Sequence, residues 1–335
     1  MDWDRLLSKS GGNEMKQIKS ILLYVDAELD PALLNRVVHI ARVVGAKLTL
    51  AAVVEPAQSQ ISLTRGSQDL AKIEQLLIED RQRELVEAAS SIENPDVSIA
   101  THVFLGNVDD AIIQAVMTGQ YDFLIKQPTP SHGLRQRLFG SLDMRLLRGC
   151  PCPVVISQMK PGGYSRRAVA ALDYSGDDEA KARLNEALLD FVAFGLETEF
   201  PEMHIVHAWR LYGESLLAHG RGKIPPERLK DLVEEERAKR QQWLENLVDE
   251  YRNSLDEDRA KRFNPKMELL RGDPTVVIPQ RVKELDADLL SIGTVSRTGL
   301  SSWLIGNTAE AILDCIDCSV VTLKPEGFVP PVSPT

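Results

Sequence analysis

The chain has 335 residues, a formal net charge of −10 and a pI near 5.2, which argues against a general nucleic-acid-binding surface because such a surface must be basic. Its 43% hydrophobic and 26% charged residues are typical of globular proteins, and its length suffices for about two domains. No apolar run reaches the ~18 residues that span a membrane, and the acidic start MDWDRLLSKSGG is unlike a signal peptide, so we expect a cytoplasmic protein that binds neither membrane nor, directly, nucleic acid.

Strands and helices alternate in the first half. Short apolar runs predict strands at residues 20–25, 47–54, 97–104, 122–125 and 152–156. Apolar residues at helical spacing predict helices between them, at residues 31–44, 70–90, 109–117 and 137–147. This order is typical of an α/β protein with a parallel sheet and helices on both of its faces.

The second half repeats the first. Gly106 and Gly272, and likewise Asp122 and Asp288, are separated by 166 residues, but Asp26 and Asp173 are separated by 147. The second copy therefore carries an additional segment, in which we predict a long helix at residues 226–251. The period is far longer than a solenoid repeat. We predict two duplicated domains, at residues 17–158 and 165–326.

Ligands of such open sheets bind beyond the carboxyl ends of the strands, where the strand order reverses. In each half the first strand ends there at an aspartate, Asp26 or Asp173. In the second half the fourth strand leads into a glycine-containing segment, with Gly293, Ser296, Gly299, Gly306, Asn307 and Thr308. Glycines admit a close ligand, and successive N–H groups and a helix start attract anions. A turn with an ordinary helix cap is the alternative, but the position favours a phosphate site.

The corresponding segment of the first half differs. Gln127 and Pro130 stand where the second half has Gly293 and Ser296, and Pro128 lies between them. Each proline removes an N–H donor and fixes φ. We therefore predict that the first half does not bind ATP and that the second half binds a nucleotide or another small anionic metabolite.

These residues resemble the signature of the universal stress protein family, which is G-x2-G-x9-G-[S/T] after the fourth strand, with an acidic residue closing the first. Here Ser296 replaces the second glycine and Asn307 the final Ser/Thr. The resemblance to tandem members implies two doubly wound parallel five-stranded sheets of strand order 3-2-1-4-5, similar to the adenine nucleotide alpha hydrolases. It implies an adenosine site near Asp173 and Ala208, and near Asp26 and Val53 in the first half. Phosphates are expected on the glycine segment.

The resemblance also implies a function in stress resistance, as a nucleotide- or small-molecule-binding regulatory protein. The cofactor would be ATP or a related nucleotide, with or without Mg²⁺. The two domains are expected to form an intramolecular pseudo-dimer, and a homodimer is left open. We find no catalytic constellation and no metal site in the sequence, and Cys315 and Cys318 are interpreted as small residues at a strand entry. A slow ATPase switch and a ligand-free interaction scaffold are the alternatives.

Overall fold

The computed structural model describes residues 18–26, 28–56, 67–92, 96–118, 121–129, 138–160, 166–220, 222–294, 306–325 and 328–330, with side chains from residue 70 in the third range. The described residues divide into two compact units. The first unit contains residues 18–160, Thr294, Gly306 and the residues from Asp317 onward. The second unit contains residues 166–293 and 307–316. Within the described ranges, no helix is both long enough and apolar enough to cross a membrane.

The first unit is built on a sheet of order β3-β2-β1-β4-β5-β10. Its strands are β1 (Ser20–Tyr24), β2 (Lys47–Val54), β3 (Ile99–Leu105), β4 (Phe123–Lys126), β5 (Val154–Ile156) and β10 (Ser319–Leu323). Its helices are α1 (Pro31–Val44), α2 (Ser67–Ser90), α3 (Val108–Met117) and α4 (Ser141–Gly149). The first five strands are parallel, and β10 pairs with β5 in antiparallel orientation.

The second unit contains four parallel strands in the order β9-β6-β7-β8. They are β6 (Arg167–Ala171), β7 (Glu202–Trp209), β8 (Lys266–Arg271) and β9 (Leu289–Gly293). The helices are α5 (Glu179–Thr198), α6 (Glu214–His219), α7 (Pro226–Ser254), α8 (Glu257–Arg262), α9 (Pro274–Glu284) and α10 (Asn307–Leu313). The extra segment of this half supplies α6, α7 and α8.

Local sequence explains how α1 begins and ends. The Asp30 carboxylate accepts a hydrogen bond from Ala32 N at 2.8 Å and caps the helix, and Pro31 occupies its first turn. Gly45 ends the helix in the left-handed conformation, with φ 69°. The apolar face is buried against the sheet, as the helical spacing predicts; its buried residues are Leu33, Leu34, Val37, Val38 and Ala41.

The duplication is visible in equivalent backbone contacts. Asp122 Oδ2 accepts hydrogen bonds from Lys19 N at 2.8 Å and Ser20 N at 3.0 Å, where β1 begins. Asp288 Oδ2 accepts one from Arg166 N at 2.5 Å, where β6 begins. The aspartates are separated by 166 residues and Lys19 and Arg166 by 147. Both separations found in the sequence therefore recur in one structural contact.

The parallel α/β architecture is confirmed, and most predicted boundaries agree with the structure to within two residues. One helix differs more, because α4 begins at Ser141 and not at residue 137. Gly140 is its N-cap, with an extended backbone, so the helix cannot extend further back. In the first half the strand order is 3-2-1-4-5, as expected.

Candidate functional site

A buried ion pair lies at the carboxyl end of β4 in the first unit. Lys126 is the last residue of β4, and Asp143 lies in the first turn of α4. Lys126 Nζ is 3.0 Å from Asp143 Oδ1, and solvent reaches neither side chain. Because an unpaired charge in a protein interior is costly, each of these groups requires the other.

Asp143 also occupies two backbone amides beside the start of α4. Its Oδ2 accepts hydrogen bonds from Gly140 N and Thr129 N, both at 2.9 Å. Free amides at a helix start attract phosphate groups and other anions. In the first half the chain therefore supplies its own anion to these amides.

Asp26, a predicted ligand residue, belongs to the same network. Thr129 Oγ1 accepts a hydrogen bond from Lys126 Nζ at 2.6 Å and donates one to Asp26 Oδ2 at 2.8 Å. The Tyr24 hydroxyl donates to Asp26 Oδ1 at 3.4 Å. Burial, helped by Asp26, raises the pKa of Tyr24, so this hydroxyl stays protonated. Asp26 is thus engaged by neighbours from β1 and from the segment after β4.

The second half has apolar residues at the positions of this ion pair. Ile292 and Ala309 follow Lys126 and Asp143 by 166 residues. Ile292 is the penultimate residue of β9, Ala309 lies in the first turn of α10, and both are buried. Nothing equivalent to the Lys126–Asp143 pair can form at these two positions.

Asp173 follows β6 and remains accessible. Its side chain is 63% exposed, and Lys181 Nζ from α5 lies 2.5 Å from Asp173 Oδ2. The buried Asn185 side chain fixes the Asp173 backbone, because Asn185 Oδ1 accepts from Asp173 N at 3.2 Å and Asn185 Nδ2 donates to Asp173 O at 2.7 Å. The structure thus presents a carboxylate and an ammonium group together at the carboxyl end of β6.

The other predicted ligand residues occupy the expected strand ends as far as the structure describes them. Val53 and Ala208 are the penultimate residues of β2 and the penultimate residue of β7, respectively, and both are half-buried. Gly306 is half-buried before α10, and Asn307 and Thr308 are exposed in its first turn. Ser296 and Gly299 lie outside the described residues.

Gly293 has a packing role that the sequence analysis did not find. A Cβ atom at this position would lie 2.4 Å from Leu184 Cδ2 of α5. No side chain fits such a gap unless the leucine moves. Glycine at position 293 is therefore required by the contact between β9 and α5, whether or not a ligand binds.

An aromatic cluster packs α7 against the carboxyl ends of β6 and β7. The Trp243 ring lies 4.9 Å from the His207 ring and 5.3 Å from the Tyr174 ring, both edge to face. The Arg240 guanidinium stacks 3.9 Å from the centre of the Tyr174 ring. The sequence placed Trp243 on the apolar stripe of the long helix, but gave no sign of its partners.

His207 is buried within this cluster in its neutral form. Its Nδ1 donates to the Leu172 carbonyl at 3.0 Å, so the neutral ring carries its lone pair on Nε2, which is buried and has no hydrogen-bond partner among the described residues. Burial lowers the pKa of His207, and the nearby Arg240 acts in the same direction.

His204 points to the opposite face of β7, as the alternation of a strand predicts. Its ring nitrogens contact Glu268 Oε1 at 2.6 Å and Glu202 Oε1 at 2.9 Å. Lys266 and His204 lower the pKa of Glu202 to about 2. In the described part of the chain, no group of three or more His, Cys, Asp or Glu side chains could hold a metal ion.

The sequence is similar to known proteins along most of its length. The model of the Universal stress protein family matches residues 17–158 and again residues 165–324. The chain is 28% identical over 287 residues to the Universal stress protein E homolog of Haemophilus influenzae, covering 83% of this chain and 87% of the relative. It is 25% identical over 322 residues to Universal stress protein E of Escherichia coli K12, covering 95% and 98%. A crystal structure of a putative universal stress protein from Pseudomonas aeruginosa UCBPP-PA14 aligns with a TM-score of 0.64 at 25% identity, over 94% of this chain and 96% of that chain.

Proposed function

Because the chain belongs to the universal stress protein family, with one match to the family in each half, we propose that it is a regulatory protein of stress resistance that binds a nucleotide or another small anionic metabolite in its second half. The proposed ligand is ATP or a related nucleotide, with or without Mg²⁺. It would contact Asp173, Ala208 and the segment from Gly293 to Thr308. A cytoplasmic location belongs to the same proposal.

The observation that carries this proposal is the difference between the two halves at the positions of the buried ion pair. In the first half Asp143 accepts the Gly140 and Thr129 amides, and Lys126 neutralises it. An incoming phosphate group would have to displace this carboxylate, which the chain holds in place at no cost in translational entropy. In the second half Ala309 offers no competing carboxylate.

Asp173 and Lys181 support a ligand site at the carboxyl end of β6. The Lys181 side chain retains 17% of its exposure and its carboxylate partner 63%, so solvent reaches both. Exposed ion pairs contribute only about 0–1 kcal/mol, so Lys181 can exchange Asp173 for an anionic ligand at little cost.

We further propose that the domains span residues 17–158 and 165–326 and associate within one chain as a pseudo-dimer. Val320 and Thr322 of β10, from the second half of the sequence, pair with Ile156 and Val154 of β5. This pairing across the sequence halves supports an intramolecular association. A regulatory ligand-binding role is proposed in preference to efficient catalysis.

The decisive experiment installs the carboxylate of the first half in the second. Calorimetry with ATP and Mg²⁺, and native mass spectrometry of the gently purified protein, are applied to the wild type, Ala309→Asp and Ala311→Asp. Ala311 lies on the same helix, two residues further on, and controls for charge and for helix stability. We expect at least tenfold weaker binding in Ala309→Asp and wild-type binding in Ala311→Asp.

Two results would contradict the proposal. A wild-type protein that retains no metabolite and gives no heat with ATP acts as a scaffold. Equal loss of affinity in both variants would place the ligand elsewhere or reflect unfolding, and circular dichroism on the same samples separates these cases. Release of inorganic phosphate at a rate that Ala309→Asp abolishes would identify the ATPase switch instead.

A further inference from the structure

Two cysteine thiols lie together in the first unit, between α4 and β5. They belong to the sequence Cys150-Pro151-Cys152. Cys150 Sγ and Cys152 Sγ are 3.5 Å apart, which is sulfur–sulfur contact, and both thiols are free. Cys150 is fully buried, whereas Cys152 keeps 8% of its exposure. The pair is therefore positioned to react with itself, and solvent reaches it at Cys152.

A buried lysine from the end of the chain lies in the same region. Lys324 Nζ donates to the Leu147 carbonyl at 2.5 Å and to Thr294 Oγ1 at 2.7 Å. Burial lowers the pKa of Lys324 to about 7, and the two thiols oppose this shift when they ionise. An ammonium group beside a thiol pair favours thiolate, which is the reactive form of cysteine.

We propose that Cys150 and Cys152 are a redox modification site, which hydroperoxides convert to an intramolecular disulfide. The Cys152 thiolate attacks one peroxide oxygen and breaks the O–O bond, leaving a sulfenic acid on Cys152 and releasing water or an alcohol once the leaving oxygen takes up the thiol proton. The Cys150 sulfur then attacks the Cys152 sulfur and displaces water, which forms the S–S bond. Two thiols lose two electrons in total, and one hydroperoxide is reduced.

The surroundings of the pair determine its rate and its product. Burial raises the pKa of the Cys152 thiol, and the neighbouring Cys150 adds to this effect. Thiolate is therefore scarce near neutral pH, and oxidation should be slow and should accelerate as the pH rises. The 3.5 Å contact between the sulfurs directs the sulfenic acid to the disulfide before further oxidation.

The site also has a structural connection to the second-half loop. Thr294 follows β9 directly, and its N–H donates to the Leu323 carbonyl at 3.0 Å. Lys324 joins Thr294 to Leu147, three residues before Cys150. Oxidation of the dithiol thus changes the surroundings of a lysine that holds the start of the segment from residue 294 to residue 306.

The test treats the full-length protein with hydrogen peroxide at pH 7 and pH 8.5, blocks the remaining thiols with N-ethylmaleimide and identifies the tryptic peptides by mass spectrometry. Trypsin separates Cys150 and Cys152 from Cys315 and Cys318. We expect the first peptide to lose two hydrogen masses and both N-ethylmaleimide labels, faster at pH 8.5, and to recover both labels after reduction with dithiothreitol.

Three variants complete the experiment. Cys150→Ser and Cys152→Ser should each prevent the mass loss, whereas Cys315→Ser, at an exposed cysteine, should leave it unchanged. The proposal is wrong if wild-type Cys150 and Cys152 keep their labels under conditions that oxidise Cys315. It is equally wrong if they end as separate sulfinic acids. Both outcomes are read on the wild-type protein, so they do not depend on the folding of the variants.

Discussion

Lys126 Nζ lies 3.0 Å from Asp143 Oδ1, and both side chains are completely buried. The pair joins the end of β4 to the first turn of α4, the two elements that border the strand-order reversal in the first half. A duplicated domain has thus filled one of its two equivalent positions with its own charges. Pairs of this kind contribute little net stability compared with apolar residues, but the loss of one partner is costly.

Removal of the lysine alone should therefore destabilise the protein strongly. Lys126→Met leaves Asp143 buried without a counter-ion, and we expect a loss of about 3–5 kcal/mol in the free energy of unfolding, measured with urea at pH 7. The double variant Lys126→Met/Asp143→Ala should recover part of this loss. Lys261→Met removes an exposed ion pair with Glu257 and should change stability by about 1 kcal/mol or less. Similar losses in the two single variants would argue against a buried pair.

The signal for this pair was present in the sequence. At the constant separation of 166 residues, Lys126 and Asp143 change together to Ile292 and Ala309. The sequence analysis compared glycines and prolines and treated the charges in the first half as incidental. A lone lysine at a strand end does not reveal its partner, because the contact depends on how α4 docks beside β4.

The glycines that follow β3 and β8 allow a matched test of backbone strain in the two halves. Gly106 has φ 143° and Gly272 has φ 148°, a conformation that residues with a side chain rarely adopt. A Cβ at Gly106 would lie 3.8 Å from Ala111 Cβ, but at Gly272 it would lie 2.5 Å from Val277 Cγ1. We expect Gly106→Ala to cost about 1–3 kcal/mol through strain alone.

Gly272→Ala should cost more than Gly106→Ala, because the stiff valine must also move. Thermal unfolding of both variants measures the difference. The double variant Gly272→Ala/Val277→Ala should return to the cost of Gly106→Ala plus that of Val277→Ala alone. A Gly272→Ala variant no less stable than Gly106→Ala would contradict the contact with Val277.

Gly293 separates packing from ligand binding in the second half. Gly293→Ala places a Cβ 2.4 Å from Leu184 Cδ2, and overpacking of this kind typically costs about 1–3 kcal/mol. Leu184→Ala in the same chain should relieve the clash, so the two substitutions should be less damaging together than the sum of their separate effects. A double-mutant cycle by urea denaturation measures this coupling. Strict additivity would show that the glycine is not needed for this contact.

The same residue shows where sequence reasoning succeeds and where it fails. The family spacing located Gly293 at the end of the fourth strand, and the structure places it there as the last residue of β9. The spacing could not show that Leu184, more than a hundred residues earlier, approaches the same backbone. The alternation of strands and helices was predictable because it is local, but contacts between elements, such as those of Trp243 with His207 and Tyr174, were not.

His207 should make the stability of the protein depend on pH in mildly acidic solution. Burial lowers its pKa below the ordinary value of 6.5, so the unfolded chain binds a proton at a higher pH than the folded chain does. As the pH falls below about 6.5, the unfolded state therefore gains protons first, and the free energy of unfolding decreases. The contribution of the neutral ring is fully present above this pH and is lost as the pH falls toward the lowered pKa.

His207→Gln should remove this part of the pH dependence. Glutamine cannot take up a proton, and its amide can still donate to the Leu172 carbonyl. Urea unfolding at pH 7.5 and pH 5.5 should show a smaller loss of stability in His207→Gln than in the wild type. His39→Gln, at an exposed position of α1, should keep the wild-type difference between the two pH values. If His207→Gln keeps it as well, then the ring is protonated in the folded protein, and Nε2 must have an acceptor close to it.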